Sequence, residues 1–209
     1  MAPSWEILLS IVAVLSMFIG NLGAIMQTNI KRMLAFSSIS HAGYLIIAVI
    51  AGSSLAGSGL LFYMLTYAFT TFGAFGIIIL LGRKGEDNLE LENYSGLAYK
   101  HPVLALSMTV FLLSLGGLPP FAGFVAKFYV FSAAIEEGFV TLVIIAVLNS
   151  AISFYYYLKV VVFMYMKEPA GEFQISLTPM TLFVVAIGIL GTIELGIFPD
   201  PIIALTSPH

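Results

Sequence analysis

The sequence predicts an all-α integral membrane protein: one transmembrane helical domain over residues 1–209 with about six crossings, the fourth broken at Gly116–Pro120. Three observations predict it. First, 60% of the residues are hydrophobic and only 9% are charged, whereas soluble domains carry about 25% charged residues. So few charges cannot cover a water-facing surface of this size, and lipid becomes the main solvent. Second, the apolar runs are continuous over about 20 residues or more, the length a helix needs to cross a ~30 Å hydrocarbon core. A barrel, the other way to satisfy backbone groups in lipid, would alternate over segments of roughly 10 residues. Third, the fourth run carries Gly116-Gly117-Leu118-Pro119-Pro120 in its middle, and two glycines followed by two prolines cannot continue a helix.

Taken in order, the first run is Ile7–Gln27. Glu6 precedes it and no basic segment does, so it reads as a membrane span and not as a cleaved signal peptide. The second is Met33–Gly52 and the third Leu60–Gly82. Arg83–His101, with Glu86, Asp87, Glu90 and Glu92, is the one long polar loop and reads as a short amphipathic or irregular surface stretch. The fourth run, Pro102–Ile135, would reach about 50 Å as one straight helix, too long for a single crossing, yet two full crossings need about 40 residues plus a turn. One crossing by two half-helices joined by unwound chain resolves this; such breaks are tolerated only inside protein or beside a watery cavity. The alternative is a simple proline kink. The fifth run is Phe139–Met166 and the sixth Leu177–Phe198.

Eight basic residues test this topology. With six crossings, Lys31 and Arg32 fall in the first loop, Arg83, Lys84 and Lys100 in the third, and Lys167 in the fifth, all on one side of the membrane. The second loop, Ser53–Gly59, carries no charge, and the fourth holds only Glu136 and Glu137. The positive-inside rule makes the odd loops cytoplasmic and puts both termini on the opposite face. The absence of cysteine excludes disulfides and thiolate-held metals or clusters. His41, His101 and His209 are too scattered for a metal or haem site, no Gly-rich phosphate loop is present, and no nucleic-acid partner is expected. No cofactor is therefore expected in this chain.

Two basic residues lie inside apolar runs. Lys127 sits about two turns into the second half of the broken segment. A charged lysine at a helix centre costs about 2.5–3.5 kcal/mol on insertion scales, which suggests a use. Loss of water weakens an amine's hold on its proton, so such a lysine can load and release one, and the unwound Gly116–Pro120 stretch would bring free carbonyls and water beside it. Snorkelling to the interface is the competing reading, weakened because Phe128, Tyr129, Val130 and Phe131 still follow. Lys159, in Tyr155-Tyr156-Tyr157-Leu158-Lys159, lies about 12 Å from its helix end by the helical rise. A relay role competes there with snorkelling, with the tyrosines as interface anchors. His41 shares a helix face with Ser37, Ser38 and Tyr44, and a titratable imidazole with hydroxyls beside it suits proton transfer. The competing reading is a structural histidine bonded to a neighbouring helix. Tyr63, Thr66, Thr70 and Gly73 share a similar spacing that ordinary membrane packing also explains.

Two stretches resemble a known family: Gln27-Thr28-Asn29-Ile30-Lys31-Arg32-Met33-Leu34-Ala35-Phe36-Ser37-Ser38-Ile39-Ser40-His41-Ala42-Gly43-Tyr44 and Leu115-Gly116-Gly117-Leu118-Pro119-Pro120-Phe121-Ala122-Gly123-Phe124-Val125-Ala126-Lys127-Phe128-Tyr129. Together with Tyr155–Lys159 and Gly196-Ile197-Phe198-Pro199, they resemble the antiporter-like subunits of respiratory complex I over nearly the whole chain. The details are most similar to the subunit N branch, the mitochondrial subunit 2 type; the sister M branch typically has glutamate where Lys127 stands. The resemblance implies a parent of about fourteen helices with two inverted five-helix repeats, each with a broken helix and a central ionisable residue. This chain then corresponds to the C-terminal part, the second repeat plus C-terminal helices, either as a piece of a longer chain or as the product of a split gene. It implies a bacterial inner (plasma) membrane location and a proton path containing Lys127, with His41 on or near the hydrated axis. It also implies partnership with other membrane-arm subunits, while NADH and quinone are bound by other subunits. A subunit of a multisubunit sodium/proton antiporter, a membrane-bound hydrogenase arm and a non-transporting scaffold are the rival readings.

Overall fold

The structure, a computed structural model, describes residues 4–82, 89–169, 175, 178–201 and 203. Eight α-helices are found among them, besides a short 3-10 helix at Leu91–Tyr94: α1 (Ser4–Ile25), α2 (Ile30–Ala51), α3 (Ser54–Leu81), α4 (Leu97–Lys100), α5 (Pro102–Gly116), α6 (Ala122–Glu136), α7 (Val140–Met166) and α8 (Pro179–Ile197). Five of them, α1, α2, α3, α7 and α8, are long and apolar enough to cross a membrane. Each follows from its apolar run, and the ends follow from capping chemistry. Asn29 caps α2 by accepting from the Arg32 N–H at 3.0 Å, and Gly52 closes it in the left-handed region at φ 64°, where glycine carries no Cβ penalty.

The third helix begins earlier than its hydropathy suggests. Ser53–Gly59 reads as a loop because serine and glycine dominate it, but Ser53 is an N-cap whose hydroxyl accepts from Ala56 N–H at 3.3 Å. α3 therefore starts at Ser54, and only Gly52 and Ser53 separate it from α2. The fourth apolar run divides into α5 and α6, with residues 117–121 outside either helix. Its two halves run in succession antiparallel to α7. Gly96, which precedes the short α4 leading into α5, donates to the Phe163 carbonyl at 3.0 Å. Gly116, where α5 ends, packs on Phe154 and Tyr157. Lys127 in α6 reaches Ser150 at 2.8 Å, and the turn after α6 leads directly into α7.

The polar loop before α5 is not only a surface stretch. Its described part, 89–101, folds across the bundle end: Ile30 N–H donates to Leu89 O and Leu91 N–H to Thr28 O, both at 2.8 Å. Leu91, Tyr94 and Leu97 are buried, and burial raises the Tyr94 phenol above its usual range. The same contacts collect Lys31, Arg32, Lys100 and Lys167 at one end of the molecule, because the 89–96 stretch touches both the start of α2 and the end of α7. Arg83 and Lys84 lie outside the described residues, as do Glu86 and Asp87. The exposed turn holding Glu136 and Glu137 lies at the opposite end of α7.

Close helix contacts rest on small residues, as expected where lipid removes the hydrophobic drive between helices. α1 meets α2 at Gly20, where an added Cβ would overlap the Ser40 hydroxyl, and at Gly43, which faces Met17. α3 meets α8 at Gly188, an added Cβ of which would lie 2.9 Å from the Phe69 carbonyl oxygen. Asn21 then ties α1 to α7 and α2. Its amide donates to Asn149 O at 2.8 Å and Oδ1 at 3.1 Å, and its Oδ1 accepts from Ser40 at 3.0 Å and Tyr156 at 3.1 Å. Asn21→Leu strips these buried partners of their bonds and is expected to destabilise the protein by about 1–3 kcal/mol, read as a lower thermal unfolding midpoint in lipid nanodiscs.

Candidate proton-relay site

The interior has two apolar cores. One, including Met33, Phe111 and Met164, lies toward the cationic end; the other includes Met17, Ile47 and Val130. Polar side chains from α2, α3, α6 and α7 gather between them. The break at 117–121 supplies the first part of this layer. The last carbonyls of a helix have no intrahelical donor, and Gly117, at φ 87°, turns the chain away through N–H bonds to Leu113 and Ser114. Lys127, 5% exposed, fills the gap. Its amine donates to Leu115 O at 3.1 Å, Gly116 O at 3.0 Å and Ser150 Oγ at 2.8 Å, and sits 5.1 Å from the Tyr44 ring centroid. The amine thus sits at the negative end of the α5 dipole, turned inward and not toward an interface. None of these partners is a carboxylate. An open groove of about 570 Å³ beside it is lined by Gly116, Lys127, Ser150 and apolar side chains, including the exposed Phe128 and Val147.

His41 forms the second part. Its Nδ1 pairs with the Tyr63 hydroxyl at 2.7 Å and its Nε2 with the Tyr157 hydroxyl at 3.2 Å. Tyr157 also pairs with Ser37 Oγ at 2.6 Å, and the Tyr67 ring lies 4.8 Å from the imidazole, its hydroxyl donating to Ser38 at 2.7 Å. Since each imidazole nitrogen has a hydroxyl that can donate or accept, the ring can exchange tautomers or take up a proton without losing a bond. Tyr44 lies between the two parts, with its ring 5.8 Å from His41 and its hydroxyl buried without a hydrogen bond. Tyr157→Phe leaves Nε2 and Ser37 without this partner, so a loss of about 1–3 kcal/mol in stability is expected, checked by thermal unfolding of the lipid-embedded protein.

Lys127 and His41 are therefore brought to one polar layer, and Lys159 is not part of it. Lys159 is half-buried on α7, turned away from Ser150 and Tyr157 by the helical spacing, and its amine has no hydrogen bond among the described residues. The neighbouring tyrosines correct an expectation. Tyr155 is exposed, as an anchor would be, but Tyr156 and Tyr157 are buried in the core, because α7 turns that face toward α1 and α2. Ser150, Asn149 and Asn21 were not singled out from the sequence. The signal was there for α7: Ser150, Ser153 and Tyr157 share a helical stripe within an apolar segment.

A family model described as NADH:quinone oxidoreductase/Mrp antiporter, TM matches residues 1–153. The chain belongs to this family. NADH-quinone oxidoreductase subunit N of Trichlorobacter lovleyi is 49% identical to it over 204 residues, covering 97% of this chain and 42% of the relative. The chain thus spans about two fifths of the length of the curated relatives it matches. Among solved structures, respiratory complex I from Thermus thermophilus with bound aureothin is similar at TM-score 0.81 and 36% identity, over 94% of this chain and 44% of that one. The Mrp complex from Dietzia sp. DQ12-45-1b shares the fold at TM-score 0.79, with 22% identity over 98% of this chain and 46% of that one. For a member of the NADH:quinone oxidoreductase/Mrp antiporter family, the resemblance stated from the two motifs and the all-helical membrane fold hold. Among the described residues no group of His, Asp or Glu is arranged to hold a metal ion.

Proposed function

We propose that this chain forms part of a proton-translocating membrane-arm subunit of an NADH:quinone oxidoreductase, supplying part of a buried, hydrated proton relay. The observation that carries the reading is the Lys127 amine, held away from bulk water on the free carbonyls of a broken helix. Lys127 is the main proton-loading group, and His41, with the Tyr63 and Tyr157 hydroxyls, passes protons to or from it. Lys159 is a further relay residue toward the cationic end. Charge or shape changes arising at the redox site change how tightly Lys127 holds its proton. NADH and quinone are bound by other subunits, and this chain contributes translocation without redox chemistry of its own. The fourth apolar run makes one crossing, the cationic end faces the cytoplasm of a bacterial inner membrane, and both termini lie on the opposite side.

The 49% identity to a subunit N relative supports this reading over a sodium/proton antiporter subunit, for which the shared family model and the fold speak. Proton uptake into vesicles carrying the full-length protein in its complex, with and without the Lys127 amine, tests it. The same assay is expected to show a smaller loss for Lys159→Met than for Lys127→Met, because Lys159 stands outside the polar layer; equal losses would move the loading site toward α7.

A further inference from the structure

The His41 group and the Lys127 group are not joined by a direct hydrogen bond among the described residues. Between them lies a cavity of about 10 Å³, room for one water molecule. Its walls include His41, Tyr63, Thr66, Ser114, Leu115 and Gly123. Thr66 is 3% exposed, and its hydroxyl is buried with no hydrogen-bond partner. A helical threonine can turn its hydroxyl back to the carbonyl four residues earlier, as Thr70 does to Thr66 O at 2.7 Å; Thr66 makes no such bond and lines the cavity instead. Across from it, Ser114 Oγ accepts from Gly123 N–H at 3.1 Å, which leaves its own proton free to donate. The Tyr63 hydroxyl, bonded to His41, offers a third contact. Buried waters typically have about three such partners, whereas a metal ion would want carboxylate or imidazole ligands, and both His41 nitrogens are already engaged.

We propose that this cavity binds one water molecule through Thr66 and Ser114, and that Thr66 is the positioning residue linking the His41 group to the broken end of α5. Leu115, whose carbonyl accepts from Lys127, belongs to the same wall. A proton leaving protonated His41 by way of the Tyr63 hydroxyl enters the water as another leaves the water for an unprotonated Lys127 amine, so each N–H or O–H bond broken is matched by one formed and the water is regenerated. The inference rests on the relay reading and assigns a residue within it.

The test uses the full-length protein in its intact complex, reconstituted in lipid vesicles, with proton uptake and electron transfer measured together. Thr66→Val keeps the shape and removes the hydroxyl; Thr66→Ser keeps the hydroxyl. The expected result is severalfold slower proton uptake in the valine variant, recovery in the serine variant, and one ordered water in a high-resolution map of the wild type. A dry cavity in the wild-type map overturns the proposal even if the valine variant fails to assemble. Normal uptake in Thr66→Val also overturns it, and Lys127→Met run alongside says which idea has failed. A silent Thr66→Val beside an inactive Lys127→Met removes only the water site. Wild-type uptake in Lys127→Met removes the relay reading and this inference with it.

Discussion

Lys127→Met in the full-length protein is expected to slow the proposed proton transfer by roughly 10²-fold, the lower end of what one positioned acid–base group contributes. Methionine has nearly the same length and fits irregular space, so α6 keeps its packing against Ser150 and Tyr44. The Leu115 carbonyl loses its donor, at about 1–3 kcal/mol, while Gly116 O keeps Ser150 Oγ at 3.3 Å; a desolvated amine is removed at the same time, and such exchanges of buried charge for apolar volume are often near neutral. Assembly should therefore survive. Lys127→Arg sharpens the result. A guanidinium keeps the positive charge but does not give up its proton, so arginine should be as inactive as methionine if loading and release are what matter. Unchanged uptake in both variants, with normal assembly, would leave the chain a scaffold. Uptake preserved in arginine alone would mean that fixed charge suffices.

The parts of the fold set by solvent were legible in the residues, and the parts set by neighbours were not. Crossing length follows from apolar run length, so α1, α2, α7 and α8 lie within a few residues of expectation. The interruption at 117–121 follows from glycine and proline chemistry local to those positions. The start of α3 was obscured because hydropathy discounts Ser53–Gly59, while one hydroxyl cap decides it. The 89–101 stretch looked like surface because its charges are near its few apolar residues, and only the bundle end shows where Leu91, Tyr94 and Leu97 go. Lys127 and His41 stood out as ionisable groups in apolar segments. The carbonyls freed at the break were expected beside Lys127, and Gly116 O is there; Ser150 and Tyr157 were not, because they carry no charge and their roles come from packing between helices far apart in sequence.

Gly123→Ala, one methyl group in the first turn of α6, is expected to damage the site as severely as loss of the lysine. An added Cβ at Gly123 would overlap the Ser114 carbonyl oxygen and lie 3.1 Å from Ser114 Oγ. The obstacle is backbone at the end of α5, not a flexible side-chain tip. Relief thus requires the two half-helices to part. Overpacking of this kind costs about 1–3 kcal/mol or more, and its effect is local to the function. Gly123 N–H would pull away from Ser114 Oγ, and α6 would carry Lys127 off the Leu115 and Gly116 carbonyls, bonds now at 3.1 and 3.0 Å. A displacement near 1 Å suffices to cripple a positioned group. Thermal unfolding in nanodiscs should fall, and proton uptake should be lost even where assembly is retained. Gly57→Ala, on α3, is the contrasting substitution, since an added Cβ there meets nothing within 4 Å. Normal stability and uptake in Gly123→Ala would mean that α5 and α6 are not held together at this point, and the account of how the break presents its carbonyls to Lys127 would fail.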